Sequence, residues 1–152
     1  MVKCDYRSLP DQKLAAGRLA STLRLVDERE VPENLKIFAK GRSYFIRTYG
    51  CQANIRDEEV FAGYLEKAGF VRAESCETAN VVVINTCAVR ENAEDKIYGE
   101  IGLCKANKDK DPDFLLILAG CVMGENGVAE KLQKTYPYIS LIIGTHDVSN
   151  IL

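Results

Sequence analysis

Three cysteines in this chain stand just past runs that read as β-strands. Cys51 follows Thr48-Tyr49-Gly50, Cys87 follows Asn85-Thr86, and Cys121 follows Ala119-Gly120. Their separations of 36 and 34 residues are each close to one strand-helix-strand step. In an open parallel sheet, ligands bind beyond the carboxyl ends of the strands. Neighbouring strands lie about 4.8 Å apart, so loops leaving adjacent strands can bring three thiols onto one small object. Gly50 and Gly120 allow a sharp backbone turn directly before two of the sulfurs. Three thiolates suit an iron–sulfur cluster with one iron left for an outside ligand. They also suit zinc, if His146, the only histidine, completes a Cys₃His set. A third reading is that the thiols simply pack, as free cysteine does in many cores. With 6 cysteines in 152 residues, a three-residue strand exit holds one with chance about 0.1. Three hits among five exits is then of order one in a hundred, at the place where sites are expected.

The remaining candidates are weaker. Cys104 shares a helix face with Ile97 and Ile101 and reads as core; Cys76 falls in a polar loop and Cys4 in the N-terminal tail. Arg56 and Arg90 lie early in the helices that follow Cys51 and Cys87, where they either offset an anionic cluster or face solvent. Asn54 and Asn85 read as caps and loop ties rather than substrate contacts.

The elements that must position the three thiols alternate in type. Ser43–Tyr49 is rich in β-branched and aromatic residues and reads as a strand. Asn54 is expected to cap a helix with Asp57 and Glu58 in its first turn, an apolar stripe through Val60, Phe61, Tyr64, Leu65 and Ala68, and a stop at Gly69. Phe70–Ala73 reads as a short edge strand. Val81–Thr86 is a near-continuous apolar run, as in a parallel strand covered on both faces. A charged helix follows over about Arg90–Asn107, then a polar turn over Lys108–Asp113, a strand over Phe114–Ala119, a helix over Glu125–Thr135 and a strand over Ile139–Ile143. A terminal helix is expected from His146. Upstream, Ser8–Glu30 reads as one helix broken by Pro32 and Asn34, so residues 1–40 are expected to be an N-terminal helical extension and 41–152 the main domain.

Alternating strands and helices imply right-handed crossovers and a mostly parallel sheet. The expected class is α/β: a flavodoxin-like or Rossmann-like three-layer sandwich of five strands, in the order 2-1-3-4-5. Composition agrees, at 47% hydrophobic and 28% charged with 11 Gly and 4 Pro. Twenty basic and twenty-two acidic side chains leave a net charge of −2, too acidic for a stand-alone nucleic-acid binder. The first ten residues carry charges where a signal peptide needs an apolar run. No apolar stretch approaches the roughly 20 residues of a membrane span. A cytoplasmic protein with reduced thiols and no membrane partner is expected.

At the cysteine segments the chain resembles the N-terminal domain of the methylthiotransferases, radical-SAM enzymes that insert a methylthio group at an unactivated C–H bond. The matching segments are Thr48 to Asn54 (TYGCQAN), Asn85 to Ala93 (NTCAVRENA) and Ala119 to Val122 (AGCV), with Gly144-Thr145-His146 as a fourth. Together they cover about residues 43–152. The Tyr-Gly-Cys-Gln entry and the Gly-Thr-His segment are most similar to the branch that modifies isopentenyladenosine beside the anticodon of tRNA. The branches acting on threonylcarbamoyl adenosine or a ribosomal-protein aspartate usually differ at the first segment.

The resemblance implies that Cys51, Cys87 and Cys121 ligate an auxiliary 4Fe–4S cluster tied to sulfur delivery. A second 4Fe–4S cluster, in another domain of the same polypeptide, would cleave S-adenosylmethionine. This chain departs from the family in having no Cys-x-x-x-Cys-x-x-Cys run, so the radical-SAM domain and the RNA-binding domain are expected to be absent from it. The fragment alone is expected to perform no methylthiolation, with tRNA held mainly by those other domains.

Overall fold

In the computed structural model, five parallel strands carry the fold. They are β1 (Ser43–Tyr49), β2 (Val71–Arg72), β3 (Val81–Thr86), β4 (Leu115–Gly120) and β5 (Leu141–Ile143), in the order β2-β1-β3-β4-β5. Every pairing among them is parallel. The structure describes residues 30–50, 52–87, 93–124 and 127–144. The order is the one expected from the sequence, and the sheet is parallel throughout.

Among the described residues the helices are α1 (Glu33–Ala39), α2 (Gln52–Ala68), α3 (Ala93–Lys110) and α4 (Val128–Thr135), with a 3₁₀ turn over Cys121–Gly124. All six residues of β3 are buried, because both faces of the central strand are covered. Val82 and Ile84 pack with Ile97 and Ile101 of α3 and Leu132 of α4. Val81 and Val83 point the other way, to Phe61 and Leu65 of α2 and to Ala39 of α1. Burying each such aliphatic side chain is worth about 1.5–3 kcal/mol, so the alternation along β3 holds a helical layer on each face. Among the described residues no helix is long and apolar enough to cross a membrane.

Several boundaries differ from expectation. α1 was not expected, since Pro32 and Asn34 read as a break. Pro32 is instead the N-cap of α1, its carbonyl accepting from the amides of Leu35 (3.0 Å) and Lys36 (3.2 Å). Proline lacks the amide a helix interior needs but is suited to a helix start. Val31 and Ala39 are buried in the α2-side core. α2 starts at Gln52 rather than at a cap on Asn54. α3 runs on to Lys110 and stops before Pro112, with Lys108 Nζ donating to the carbonyls of Pro112 and Phe114. The helices expected over Ser8–Glu30 and from His146 lie outside the described residues.

At the amino ends of the strands, Arg42 pairs with Asp111 (3.4 Å) and Asp113 (3.0 Å), and its guanidinium stacks over the Phe38 ring at 4.2 Å. Asn80 donates to Asp111 (3.1 Å) and accepts the amide of Ser43 (3.0 Å). This network binds β1, β3 and the turn before β4, leaving the opposite rim of the sheet for chemistry.

Candidate metal centre

The register of the three central strands levels their carboxyl ends. Tyr49 of β1 stands beside Thr86 of β3, and Thr86 beside Gly120 of β4. Cys87 and Cys121 each come one residue beyond that row. The Cys87 amide donates to the Tyr49 carbonyl at 3.1 Å, and Cys87 is buried. Cys121 opens the 3₁₀ turn, half-buried, with its Sγ 4.0 Å from the Thr86 carbonyl oxygen. Cys51 lies outside the described residues, as do Arg90 and His146; the residues flanking Cys51 are Gly50, after the end of β1, and Gln52, the first residue of α2.

Two glycines permit this close approach. Gly120 has φ +115°, and a Cβ there would fall on the Thr86 carbonyl oxygen. Gly50 has φ +152°, and a Cβ there would stand 2.8 Å from both Asn54 Cγ and Cys87 Cβ. At both positions any side chain would push apart the strand ends that carry the cysteines.

Asn85 and Thr86 are the two polar members of an otherwise apolar strand, and Asn85 is fully buried. An unpaired buried amide costs about 1–3 kcal/mol. Asn85 avoids this by donating from Nδ2 to the Asn54 backbone carbonyl (2.8 Å) and accepting from Asn54 Nδ2 (3.1 Å). Asn54 is therefore a buried tie from the first turn of α2 to β3 rather than a helix cap. Thr86 Oγ1 and Thr48 Oγ1 are buried and, among the described residues, have no hydrogen-bond partner. On the α3 side of the rim, Tyr49 donates to Glu100 (2.7 Å) and Arg47 lies 3.7 Å from the same carboxylate. Burial and that hydrogen bond push Tyr49 up to about 12.

Among the described residues no three His, Cys, Asp or Glu side chains gather closely enough to hold a metal ion. Two of the three expected ligands are described, and both sit at this rim. Thiols on neighbouring strand ends, side-chain-free glycines beside them and an orphaned hydroxyl in the same row fit a soft metal group held by thiolate. Arg56 is exposed on α2. Cys104 is buried with Ile97 and Ile101, as expected. Cys76, expected in a polar loop, is buried in the same core. Its segment folds inward because the Asn107 side chain, itself buried, donates to the Cys76 carbonyl at 2.6 Å. The Asn54–Asn85 tie carried one legible signal, a lone amide inside the run VVVINT, whereas the orphaned hydroxyls carried none.

The family model described as uncharacterized protein family UPF0004 matches residues 43–144. A tRNA-2-methylthio-N(6)-dimethylallyladenosine synthase of Geobacillus kaustophilus is 42% identical over 142 residues, covering 93% of this chain and 27% of the relative. The synthase of the same name from Geobacillus thermodenitrificans is 41% identical over 142 residues, with the same coverage. One from Clostridium botulinum is 46% identical over 107 residues, covering 70% of this chain and 24% of the relative. The chain thus spans about a quarter of the length of the curated relatives it matches.

Proposed function

The chain belongs to the UPF0004 family, and from that premise we propose that it is the N-terminal, auxiliary-cluster part of a radical-SAM tRNA methylthiotransferase. The whole enzyme acts on C2 of N6-isopentenyladenosine at position 37 of tRNA, beside the anticodon, and uses S-adenosylmethionine in the cytoplasm. Cys51, Cys87 and Cys121 are the proposed ligands of the auxiliary 4Fe–4S cluster. The second 4Fe–4S cluster, S-adenosylmethionine and most of the tRNA contact belong to other domains of the same polypeptide.

The observation that carries this reading is the level row Tyr49, Thr86 and Gly120, which starts Cys87 and Cys121 from adjacent strand ends. When bound, a cluster with three protein thiolates supplies an iron with an open coordination site for the sulfur to be transferred. The chain's own residues do the rest. α2 begins at Gln52, the residue after Cys51. Gly50 and Gly120 keep side chains off the rim, and the Asn54–Asn85 pair ties α2 to the central strand. The net charge of −2 suits a domain that leaves the RNA backbone to others.

Anaerobic reconstitution of the chain with iron and sulfide tests the assignment. The expected product is brown, with about four irons per chain, and Cys51→Ala, Cys87→Ala and Cys121→Ala each lose that iron. A colourless protein with one zinc, lost on His146→Ala, would overturn it.

A further inference from the structure

We infer that Tyr49 is a positioning residue for Cys87, fastening the backbone of that ligand through its carbonyl and helix α3 through its hydroxyl. The inference rests on the reading of Cys87 as a ligand.

Tyr49 is the last residue of β1 and is half-buried at the rim of the sheet. Its register partner on β3 is Thr86, the residue before Cys87. Cys87 lies one residue beyond β3, and its amide still donates to the Tyr49 carbonyl at 3.1 Å. The Tyr49 ring packs on the core beneath α3 and α4, and its hydroxyl donates to Glu100 Oε1 at 2.7 Å. Glu100 stands on α3, thirteen residues after Cys87, and its side chain is only 16% exposed. A carboxylate makes a shorter and stronger bond to a hydroxyl than a neutral acceptor does.

Arg47, two residues earlier on the same face of β1, brings its charge to within 3.7 Å of the same oxygen. That separation is too long for a hydrogen bond, and buried Arg47 Nε has no hydrogen-bond partner among the described residues. Arg47 therefore offsets the charge of Glu100, while Tyr49 supplies the directed contact. Two points of the chain are thus fastened to one residue. Movement of the β1 end away from α3 breaks the bond to Glu100, and movement away from β3 breaks the bond to Cys87. Ligands far apart in sequence have no preformed geometry in the unfolded chain, and hydrogen-bonded partners behind them supply it.

The same strand carries its own control. Tyr44, near the opposite end of β1, donates to Glu66 of α2, also at 2.7 Å. It makes the same kind of bond to the other helical layer, away from the rim.

The test alkylates the metal-free chain with iodoacetamide and follows Cys87 and Cys104 by peptide mass mapping. Tyr49→Phe keeps the ring and the carbonyl and removes only the hydroxyl. Cys87 labelling is expected to quicken about tenfold, the effect of losing one hydrogen bond to a charged group, while Cys104 keeps its rate. Glu100→Gln retains an acceptor oxygen and should leave Cys87 closer to the parent rate than Tyr49→Phe does. Tyr44→Phe should leave Cys87 unchanged relative to Cys104. Cys87 labelling that stays constant in Tyr49→Phe, or rises only in step with Cys104, overturns the inference, and so does an equal rise in Tyr44→Phe. Iron uptake by the unsubstituted chain, measured in parallel, judges the ligand reading separately. A chain that takes no iron yet loses Cys87 protection selectively in Tyr49→Phe would sink that reading and leave Tyr49 as the anchor of the β3 exit.

Discussion

The sulfur of Cys121 lies 4.0 Å from the carbonyl oxygen of Thr86, the residue that precedes Cys87. The same oxygen occupies the place where a side chain on Gly120 would begin. One carbonyl thus borders the approach of β4 to β3 and the exit of the chain toward Cys121.

Gly120→Ala should therefore destabilise the domain. Its φ of +115° costs a residue with a Cβ about 1–3 kcal/mol, and the collision with Thr86 adds to that. Urea unfolding monitored by circular dichroism should show a clearly lowered midpoint. An unchanged midpoint would mean that β4 can end without the close approach.

Thr86→Val should do the opposite. The Thr86 hydroxyl is buried and, among the described residues, has no partner. Replacing it with a methyl group relieves a desolvation penalty of about 1–3 kcal/mol. The metal-free variant is expected to melt at a higher temperature than the parent. A lower melting point would mean that the hydroxyl makes a bond in the folded protein.

Alkylation should separate the thiols. Burial, with Cys76 and Glu100 adding smaller contributions, pushes Cys104 up to about 12, and a thiol that stays protonated is inert. In the metal-free protein at pH 8, iodoacetamide is expected to label half-buried Cys121 well before Cys76, Cys87 or Cys104. Peptide mapping by mass spectrometry reads the order, and early labelling of Cys104 would contradict the packing around α3.

The domain should also lose stability in alkali. Burial and the hydrogen bond to Glu100 hold Tyr49 at about 12, and burial and Glu66 do the same for Tyr44. In the unfolded chain both ionise near pH 10. Their protonated folded forms leave stability undiminished below pH 10, and that stability is lost as pH rises toward 12. Urea midpoints measured across this window should fall, and Tyr49→Phe should flatten the decline. Cys104 begins its own loss near pH 9 for the same reason.

The sheet was legible because β1, β3 and β4 are each a compact apolar or β-branched run, and the chain between β1 and β2, β3 and β4, and β4 and β5 carries a helix. Alternation along Val81–Thr86 is invisible in the letters, since all positions but two are aliphatic, yet the run length alone placed it at the centre. The positions of Cys87 and Cys121 followed from strand exits and needed no packing detail. What escaped depended on partners distant in sequence. Pro32 reads equally well as the end of one helix or the start of another, and burial of Ala39 against α2 decides it. Asn54 looks like a cap until Asn85, 31 residues away, is placed beside it. Cys76 is surrounded by Glu74, Ser75, Glu77 and Thr78, so only the Asn107 side chain, on a different element, reveals that its segment turns inward.

The strand order has a consequence for how the protein is made. β1 pairs with β2 on one side, but its other neighbour, β3, and then β4 emerge from the ribosome later. Between Cys51 and Cys121 lie 70 residues of translation, roughly 4–14 s at about 5–20 residues per second. For that interval the nascent chain bears the first of the three proposed ligands without the strand that brings the last, so the proposed site is a late product of synthesis.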